Sequence, residues 1–505
     1  MKKKEVVLFV PFGVYAFDQQ LATALYLASQ SEFRPHFLLI SKEDHTFVDQ
    51  LESVGISYDT LQPLQRVSGK PGNSSSYDSR QTLTQRIRSL LKWIHRITRQ
   101  LPGISLLRLF FLCWRLWHGK RVAKKLVQHL NPRCAVVSQE RLHPFFPILK
   151  PLRELRVPII LMLAAESSPD GAARSRRENY LLKAGLNKSS ASLENSPYPP
   201  FVSGGIAVLN RMVQRWLPSQ VYDSRWGKLL FYPAVQIFLM RIMGMLPQNP
   251  WYQGTTFADY IMISGIDEAA MYAEAGVNSA NLLYLGSHEL DLLYEGWLGR
   301  TELRYKLIDD YQLDHSKSIL IVAFPQLWEQ GMTSEEVQWQ SFSDILGELS
   351  HQDLNVLISL HPGSDRSQYI WIEEKYRVKI CREPLKDILA IADIFVASYS
   401  STIRWAIGLG IPVINLDLWQ LDMTQYRNLT GYQTVTTILE FDNRVRELAS
   451  APKNNGINGG PGPISDGTGL LVDGRAKERL MRFIESLDSN AAIATVASGH
   501  KSAVL

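Results

Sequence analysis

Short apolar stretches alternate with amphipathic segments along the first part of the chain. "EVVLFVPFG" is followed by "DQQLATALYLASQ", and "RPHFLLIS" by "EDHTFVDQLESVG" and "ISYDTL". The apolar runs predict buried strands, and the segments with apolar positions at helical spacing predict helices. Further strands are predicted at "CAVVSQ" and "PIILMLAAE". This β-α-β-α-β order predicts a parallel sheet with right-handed crossovers.

The alternation fails between about residues 170 and 250, which predicts a helical insertion, and then resumes. From Ser318 a second set of strands is predicted at "SILIVAFP", "NVLISLHPG", "YRVKICRE", "DIFVASYS" and "IPVINLD". We therefore expect an α/β protein with two Rossmann-like, doubly wound domains facing a cleft. The N-terminal domain, with the insertion, is assigned to 1–250 and the C-terminal domain to 251–487. Residues 488–505 are expected to form a disordered tail.

Composition restricts the class of protein. The 505 residues are 45% hydrophobic and 20% charged, which is typical of a globular chain with two or three domains. Its three cysteines lack metal-like spacing, which favours a reducing compartment, and the apolar run near Met1 is too short for a signal peptide. We therefore expect a cytoplasmic protein. No cluster of His, Cys and carboxylates has ligand spacing, so neither a metal nor another cofactor is predicted.

Charge is unevenly distributed along the chain. The net charge of +5 does not indicate a nucleic-acid partner, but residues 79–139 contain many Arg and Lys and no Asp or Glu. Within this block, "LLRLFFLCWRLWHGKRVAKK" mixes Trp, Phe and Leu with basic residues, which suits a helix on an anionic membrane surface at the inner face. A second apolar stretch, "KLLFYPAVQIFLMRIMGML", has a similar character. The alternative for both is a buried core helix whose Arg side chains extend to solvent.

Hydroxyl groups concentrate where one predicted strand meets a helix, in "DIFVASYSSTIRWAIGLG". Ser400, Ser401 and Thr402 fall on this turn, where a helix N-terminus and hydroxyl donors suit a phosphate group. The alternative is an ordinary Ser N-cap. Arg404, one turn into the helix, either binds a diphosphate or lies on a solvated helix face.

His361, Pro362 and Gly363 follow another predicted strand of the same sheet, so His361 is expected to face the same cleft. Its imidazole either contacts a diphosphate, acts as an acid or base, or only bonds a loop carbonyl.

Two segments carry a family resemblance. "DILAIADIFVASYSSTIRWAIGLGIPVINLD" with "ISLHPG", and "NPWYQGTTFADYIMISGIDEAAMYAEAGVNSANLLYLGSHELDLLY", resemble bacterial surface-polysaccharide enzymes of the GT-B fold. These are CDP-glycerol glycerophosphotransferases, capsule glycosyltransferases and UDP-N-acetylglucosamine 2-epimerases. The resemblance implies a nucleotide-activated sugar or polyol phosphate bound through His361 and the 400–402 turn. The segment "SYSSTIRWAIGLGIPVINLD" lacks the Asp-Ser-Gly-Gly and Glu-Glu of the epimerases, and its "YSS" is closer to the pattern of the phosphotransferases and capsule transferases.

Strand ends of the first domain supply the remaining candidates. Glu166, which follows the most apolar strand, is the first choice for the base that deprotonates an acceptor hydroxyl, and His143 is the second. Each could equally be a helix cap or a surface charge. On the acceptor side, Gly13 allows close backbone approach, and Asp18 either contributes to the site or caps a helix.

These features together favour a transferase that moves a sugar or polyol phosphate from a nucleotide-activated donor to a cell-surface glycan or lipid-linked acceptor. The alternatives are an enzyme resembling the UDP-N-acetylglucosamine 2-epimerases, and a catalytically inactive protein that binds nucleotide sugars. The sequence leaves the nucleotide, the sugar and the acceptor open.

Overall fold

The computed structural model describes residues 4–40, 45–61, 105–163, 169–184, 201–203, 207–224, 226–328, 333–361, 363–398, 400–419, 431–451, 463 and 470–487. The expected tail at 488–505 lies outside these residues. The strands are β1 (Val6–Val10), β2 (Arg34–Leu39), β3 (Ser57–Thr60), β4 (Cys134–Val137), β5 (Ile159–Leu161), β6 (Val221–Ser224), β7 (Gly227–Leu230), β8 (Tyr260–Ile263), β9 (Leu282–Tyr284), β10 (Ser318–Ala323), β11 (Leu354–Ser359), β12 (Val378–Ile380), β13 (Ile394–Ala397), β14 (Val413–Leu416) and β15 (Tyr432–Val435).

The helices are α1 (Val14–Gln30), α2 (His45–Ser53), α3 (Ser105–Leu130), α4 (Phe146–Glu154), α5 (Pro169–Ala184), α6 (Ala207–Trp216), α7 (Ala234–Ile242), α8 (Ile266–Glu274), α9 (His288–Leu298), α10 (Arg300–Tyr311), α11 (Glu335–Ser350), α12 (Ile370–Lys375), α13 (Leu385–Ile388), α14 (Thr402–Gly408), α15 (Ile438–Ser450) and α16 (Ala476–Ser486).

The first sheet has the order β3-β2-β1-β4-β5-β8-β9, and all its strands run parallel. Helices cover both faces, because a strand such as β1 is apolar and buried on both sides. The second sheet has the order β12-β11-β10-β13-β14-β15 and is also parallel throughout. The predicted pair of doubly wound sheets is confirmed.

The first sheet continues past residue 250, where the sequence analysis set the end of the N-terminal domain. β8 pairs with β5, and β9 pairs with β8 as the last strand of the sheet. Three of the four residues of β8 (YIMI) are buried, whereas the edge strand β9 (LLY) is only partly buried. The helix α16 also returns to this domain, because Leu480 and Ile484 are buried in the same core cluster as Phe9.

The helical insertion is present between β5 and β8, and it includes an unpredicted antiparallel hairpin of β6 and β7. The apolar stretch at 228–246 is not one helix: it contains β7 and α7, with Pro233 at the N-cap of α7. Leu229, Ile237 and Met240 are buried. These three residues pack in the core, as the alternative expected, but the stretch is not a single helix and its Ile242 is 85% exposed.

The helix α3, from the basic block, has two different faces. Leu116, Ala123 and Val127 are buried in the core cluster that includes α4. Trp114 and Trp117 are exposed on the opposite side, with relative accessibilities of 49% and 48%. No helix in the described part of the chain is long and apolar enough to cross a membrane.

Candidate functional site

The strand order of the second sheet creates a crevice. From β10 the chain continues to β11 on one side of it in the strand order, and from β13 to β14 on the opposite side, so the order reverses between β10 and β13. Crevices at such reversal points are the usual ligand sites of doubly wound domains. A cavity of about 770 Å³ opens there. Its wall includes residues 323–327 after β10, 359–361 after β11, 381–386 after β12, and Ser398, Ser400, Ser401 and Thr402 after β13.

The hydroxyl turn after β13 lies in this cavity and is tightly bonded within itself. Ser400 Oγ lies 2.6 Å from Thr402 Oγ1 and accepts the N–H of Thr402 at 3.2 Å. The next two N–H groups, of Ile403 and Arg404, donate to carbonyls of the turn. The N-cap residue of the following helix is Ser401, which makes no side-chain capping bond, whereas the Ser400 and Thr402 hydroxyls are bonded to each other. The turn leads into a short helix, α14, and Gly410, just beyond the end of this helix, has a φ of +70°.

His361 lies on the cavity wall beyond β11, and its side chain is exposed. The N–H of Gly363 donates to His361 Nδ1 at 3.1 Å. A neutral imidazole that accepts at Nδ1 carries its proton on Nε2. The second nitrogen can therefore donate to an anionic group. Pro362 lies outside the described residues.

Several polar side chains of the cavity were missed by the sequence analysis. Arg382 and Lys386 are exposed on the wall beyond β12. Arg366 is committed to the carbonyls of Ile380 and Cys381, at 2.7 and 2.6 Å. The segment "CREPLKD" directly after a predicted strand of the same sheet was the available signal, because strand ends of a parallel sheet meet at one edge.

Arg404 connects the two domains. It pairs with Asp267 at 3.1 Å and also contacts Glu268, both in the first turn of α8. Only 11% of its side chain is exposed, so the solvated-face alternative is wrong. The guanidinium also lines the cavity, and its predicted diphosphate contact stays a prediction.

A smaller cavity of about 70 Å³ lies between the domains, beside the larger one. First-domain residues such as Gln19, Met162 and Ser264 line it. Glu289, Arg404 and Trp405 line both cavities. The two cavities therefore meet at the boundary between the two domains.

Comparisons with solved structures agree with this architecture. The UDP-GlcNAc 2-epimerase from Neisseria meningitidis, bound to UDP-GlcNAc, is 11% identical, with 95% of this chain and 99% of that chain covered at a TM-score of 0.50. The chain has the GT-B fold. The UDP-GlcNAc 2-epimerase from Methanocaldococcus jannaschii (10% identity, 95% and 99% covered, TM-score 0.47) and a glycosyltransferase from Rickettsia africae (10%, 96% and 94%, 0.44) are also similar. No family model and no curated protein matches the chain.

The two candidate bases that the sequence predicted in the first domain, Glu166 and His143, are not found in the described cavities. Glu166 lies outside the described residues. His143 lines neither cavity: it packs against the rings of Phe146 and Tyr232, with centroids 5.7 and 5.2 Å away. Burial, together with the positive charges of two arginines, lowers its pKa to about 4. The structure thus separates His143 from the described cavities.

Gly13 and Asp18 lie at the start of α1. Gly13 is the N-cap, with a φ of +81°, and a Cβ atom there would meet nothing within 4 Å. Asp18 is inside the helix and exposed, so it does not cap α1. Partial burial raises its pKa, and Lys386 across the cleft opposes that effect. Tyr15, on the same turn of chain, lines the large cavity.

The described residues contain no group of three or more His, Cys, Asp or Glu side chains that could hold a metal ion.

Proposed function

We propose that this protein is a transferase that moves a sugar or polyol phosphate from a nucleotide-activated donor to a cell-surface glycan or lipid-linked acceptor. The observation that carries the proposal is the large cavity at the reversal point of the second sheet. Its volume of about 770 Å³ suits a nucleotide-sized ligand. The similar Neisseria meningitidis structure is described as bound to UDP-GlcNAc, a ligand of this class.

The chemistry of the cavity wall supports an anionic, partly aromatic ligand. Arg382, Lys386 and the Nε2–H of His361 give one part a positive character. Phe324 and Leu385 give another part an apolar surface suited to a base or ribose ring. A diphosphate leaving group gains negative charge during transfer, so fixed donors and cations near it stabilise the transition state more than the ground state.

The first domain offers apolar surface for the acceptor. Phe12, Val14 and Tyr15 are exposed at the end of β1, by 40%, 64% and 44%, and Tyr15 reaches the donor cavity. Exposed apolar groups beside a polar site suit a lipid or an aromatic portion of an acceptor.

The exposed face of α3 supports binding to an anionic membrane. Trp114 and Trp117 lie on it with Arg121, whose guanidinium is 3.8 Å from the centroid of the Trp117 ring. Trp beside basic residues is typical of helices that lie in a membrane interface. Lys120 and Lys124 are instead paired with Glu154, at 2.6 and 3.5 Å, and contribute less positive charge.

A second candidate is a nucleotide-sugar 2-epimerase. It is favoured by the similarity to the Neisseria meningitidis epimerase, which extends over 95% of this chain. An epimerase would use the same donor cavity and would need neither the apolar surface at Phe12 nor the Trp face of α3.

The proposal is tested by isothermal titration calorimetry of the purified protein against UDP-, CDP-, GDP- and CMP-linked compounds. The best ligand is then incubated with the protein, with and without a membrane lipid extract, and the products are analysed by mass spectrometry. Transfer to a lipid or glycan supports the transferase. A change in the sugar without an acceptor supports the epimerase, and binding without turnover supports an inactive binding protein. No binding to any nucleotide contradicts all three.

A further inference from the structure

Glu289 occupies the point where the two cavities meet. It is in the first turn of α9 and lines both the donor cavity and the smaller interdomain cavity. In the proposed transferase, an acceptor that enters from the first domain would meet the donor where the two cavities join. A side chain at this boundary is therefore placed between donor and acceptor.

The other acids of the two cavities are already bonded. Among the described residues, the acidic side chains that line the cavities are Glu268, Glu289 and Glu383. Glu268 accepts the N–H of Ser264 at 2.9 Å and pairs with Arg404, and Glu383 accepts the hydroxyl of Tyr311 at 2.6 Å. Glu289 also accepts a hydrogen bond from Trp405, but its Oε1 is shielded from solvent and has no hydrogen-bond partner among the described residues. A buried carboxylate oxygen without a partner is costly, which is a mark of a functional site.

The surroundings of Glu289 suit a group that gains and loses a proton near neutral pH. Burial raises its pKa to about 7, and a hydrogen bond from Trp405 with the charges of Arg404 and Lys386 only partly opposes this. Of these two cations, Arg404 also pairs with the Asp267 and Glu268 carboxylates of α8. A pKa near the working pH is what an efficient general base requires.

We propose that Glu289 is the general base of the transfer reaction, an inference that rests on the proposed function. Glu289 Oε1 takes the proton of the acceptor hydroxyl while that oxygen forms a bond to the transferred group. The bond from that group to the diphosphate breaks, and its electron pair leaves with the nucleoside diphosphate. The proton then passes from Glu289 to solvent through the donor cavity. This role was assigned from the sequence to Glu166 or His143.

The test compares the wild type with Glu289→Gln and with a matched control, Glu295→Gln. Gln has nearly the shape of a protonated Glu, so the first variant is expected to fold. Glu295 is on the same helix, is exposed and lines neither cavity. Calorimetry with the tightest of UDP, CDP and GDP, at pH 7 in buffers of different ionisation enthalpy, measures proton uptake on binding. Donor turnover is measured as release of nucleoside diphosphate in the presence of membrane lipid extract.

The wild type and Glu295→Gln are expected to take up as much as about half a proton on binding, because a diphosphate nearby raises the pKa of a half-ionised Glu289 further. Glu289→Gln is expected to take up none and to lose turnover by about 100-fold or more, with its Kd within about threefold of wild type. A Glu289→Gln variant with wild-type turnover overturns the role of Glu289 alone. A wild type that binds no nucleotide, or that binds and never transfers, overturns the proposed function itself.

Discussion

Arg404→Met tests whether the ion cluster between the domains is structural. In the wild type the Arg404, Asp267 and Glu268 side chains are only 11%, 16% and 10% exposed. The variant leaves two adjacent carboxylates without their cation, and breaking such a buried pair costs about 3–5 kcal/mol. Protonating one carboxylate limits the loss. Protonating a Glu with an ordinary pKa of about 4.3 costs about 3.7 kcal/mol at pH 7. We therefore expect the variant to lose about 3 kcal/mol of its free energy of unfolding at this pH.

The pH dependence of this penalty makes the prediction sharper. In the folded variant we expect burial without the guanidinium to hold the carboxylate pKa values above their unfolded values, so the destabilisation is present at neutral pH and shrinks as the pH falls. Protonation at pH 5 costs about 2.7 kcal/mol less than at pH 7, so the penalty should fall to about 1 kcal/mol.

Equilibrium urea unfolding at the two pH values measures both numbers. The control is Arg482→Met, because Arg482 pairs with Glu478 within α16 and is 64% exposed. It should cost less than about 1 kcal/mol at either pH. A penalty for Arg404→Met below about 1 kcal/mol at pH 7, or one that is unchanged at pH 5, would show that Arg404 does not hold the two domains through these carboxylates.

Three further predictions concern binding and turnover. Ser401→Ala with Thr402→Ala should weaken nucleotide binding by about 1–3 kcal/mol in calorimetry, the scale of lost hydrogen bonds to a charged group; unchanged affinity would contradict the phosphate turn. His361→Ala should lower kcat more than donor affinity, because a leaving-group contact strengthens in the transition state, and an equal loss of both would make it a binding residue. Replacing Arg115, Arg121 and Lys125 by Gln should reduce sedimentation with anionic liposomes at low salt, with Arg482→Gln as control, and a wild type that ignores such liposomes would refute the membrane proposal.

The pattern of apolar residues predicted most strands of the two sheets, but not β15, the edge strand of the second sheet. β1, β4, β10 and β13 are runs of buried apolar residues, which a sequence displays directly. β15 is the short edge strand YQTV, with one fully buried residue, and a run this polar carries no strand signal.

Site residues that directly follow a predicted strand could be predicted from the sequence. Residues whose role depends on contacts with distant parts of the chain could not. Thr402 and His361 were found because each closely follows a predicted strand. Arg404 gave no sign that it would pair with Asp267, a residue of the other domain. Glu289 was missed because its environment comes from α13 and α14, far away in sequence. The sequence likewise could not show that Lys120 is neutralised by Glu154 while Arg121 remains exposed.

The return of α16 to the first domain has a consequence for synthesis on the ribosome. Leu480 and Ile484 complete the core around Phe9, and Arg133 donates to the carbonyl of Ile484 at 2.8 Å. This core is completed only when α16 has been synthesised, and α16 follows every strand of the second sheet, so the N-terminal domain cannot finish folding while the second is still being made. Chains interrupted before residue 476 would expose this apolar face, and exposed apolar surface of this kind promotes aggregation.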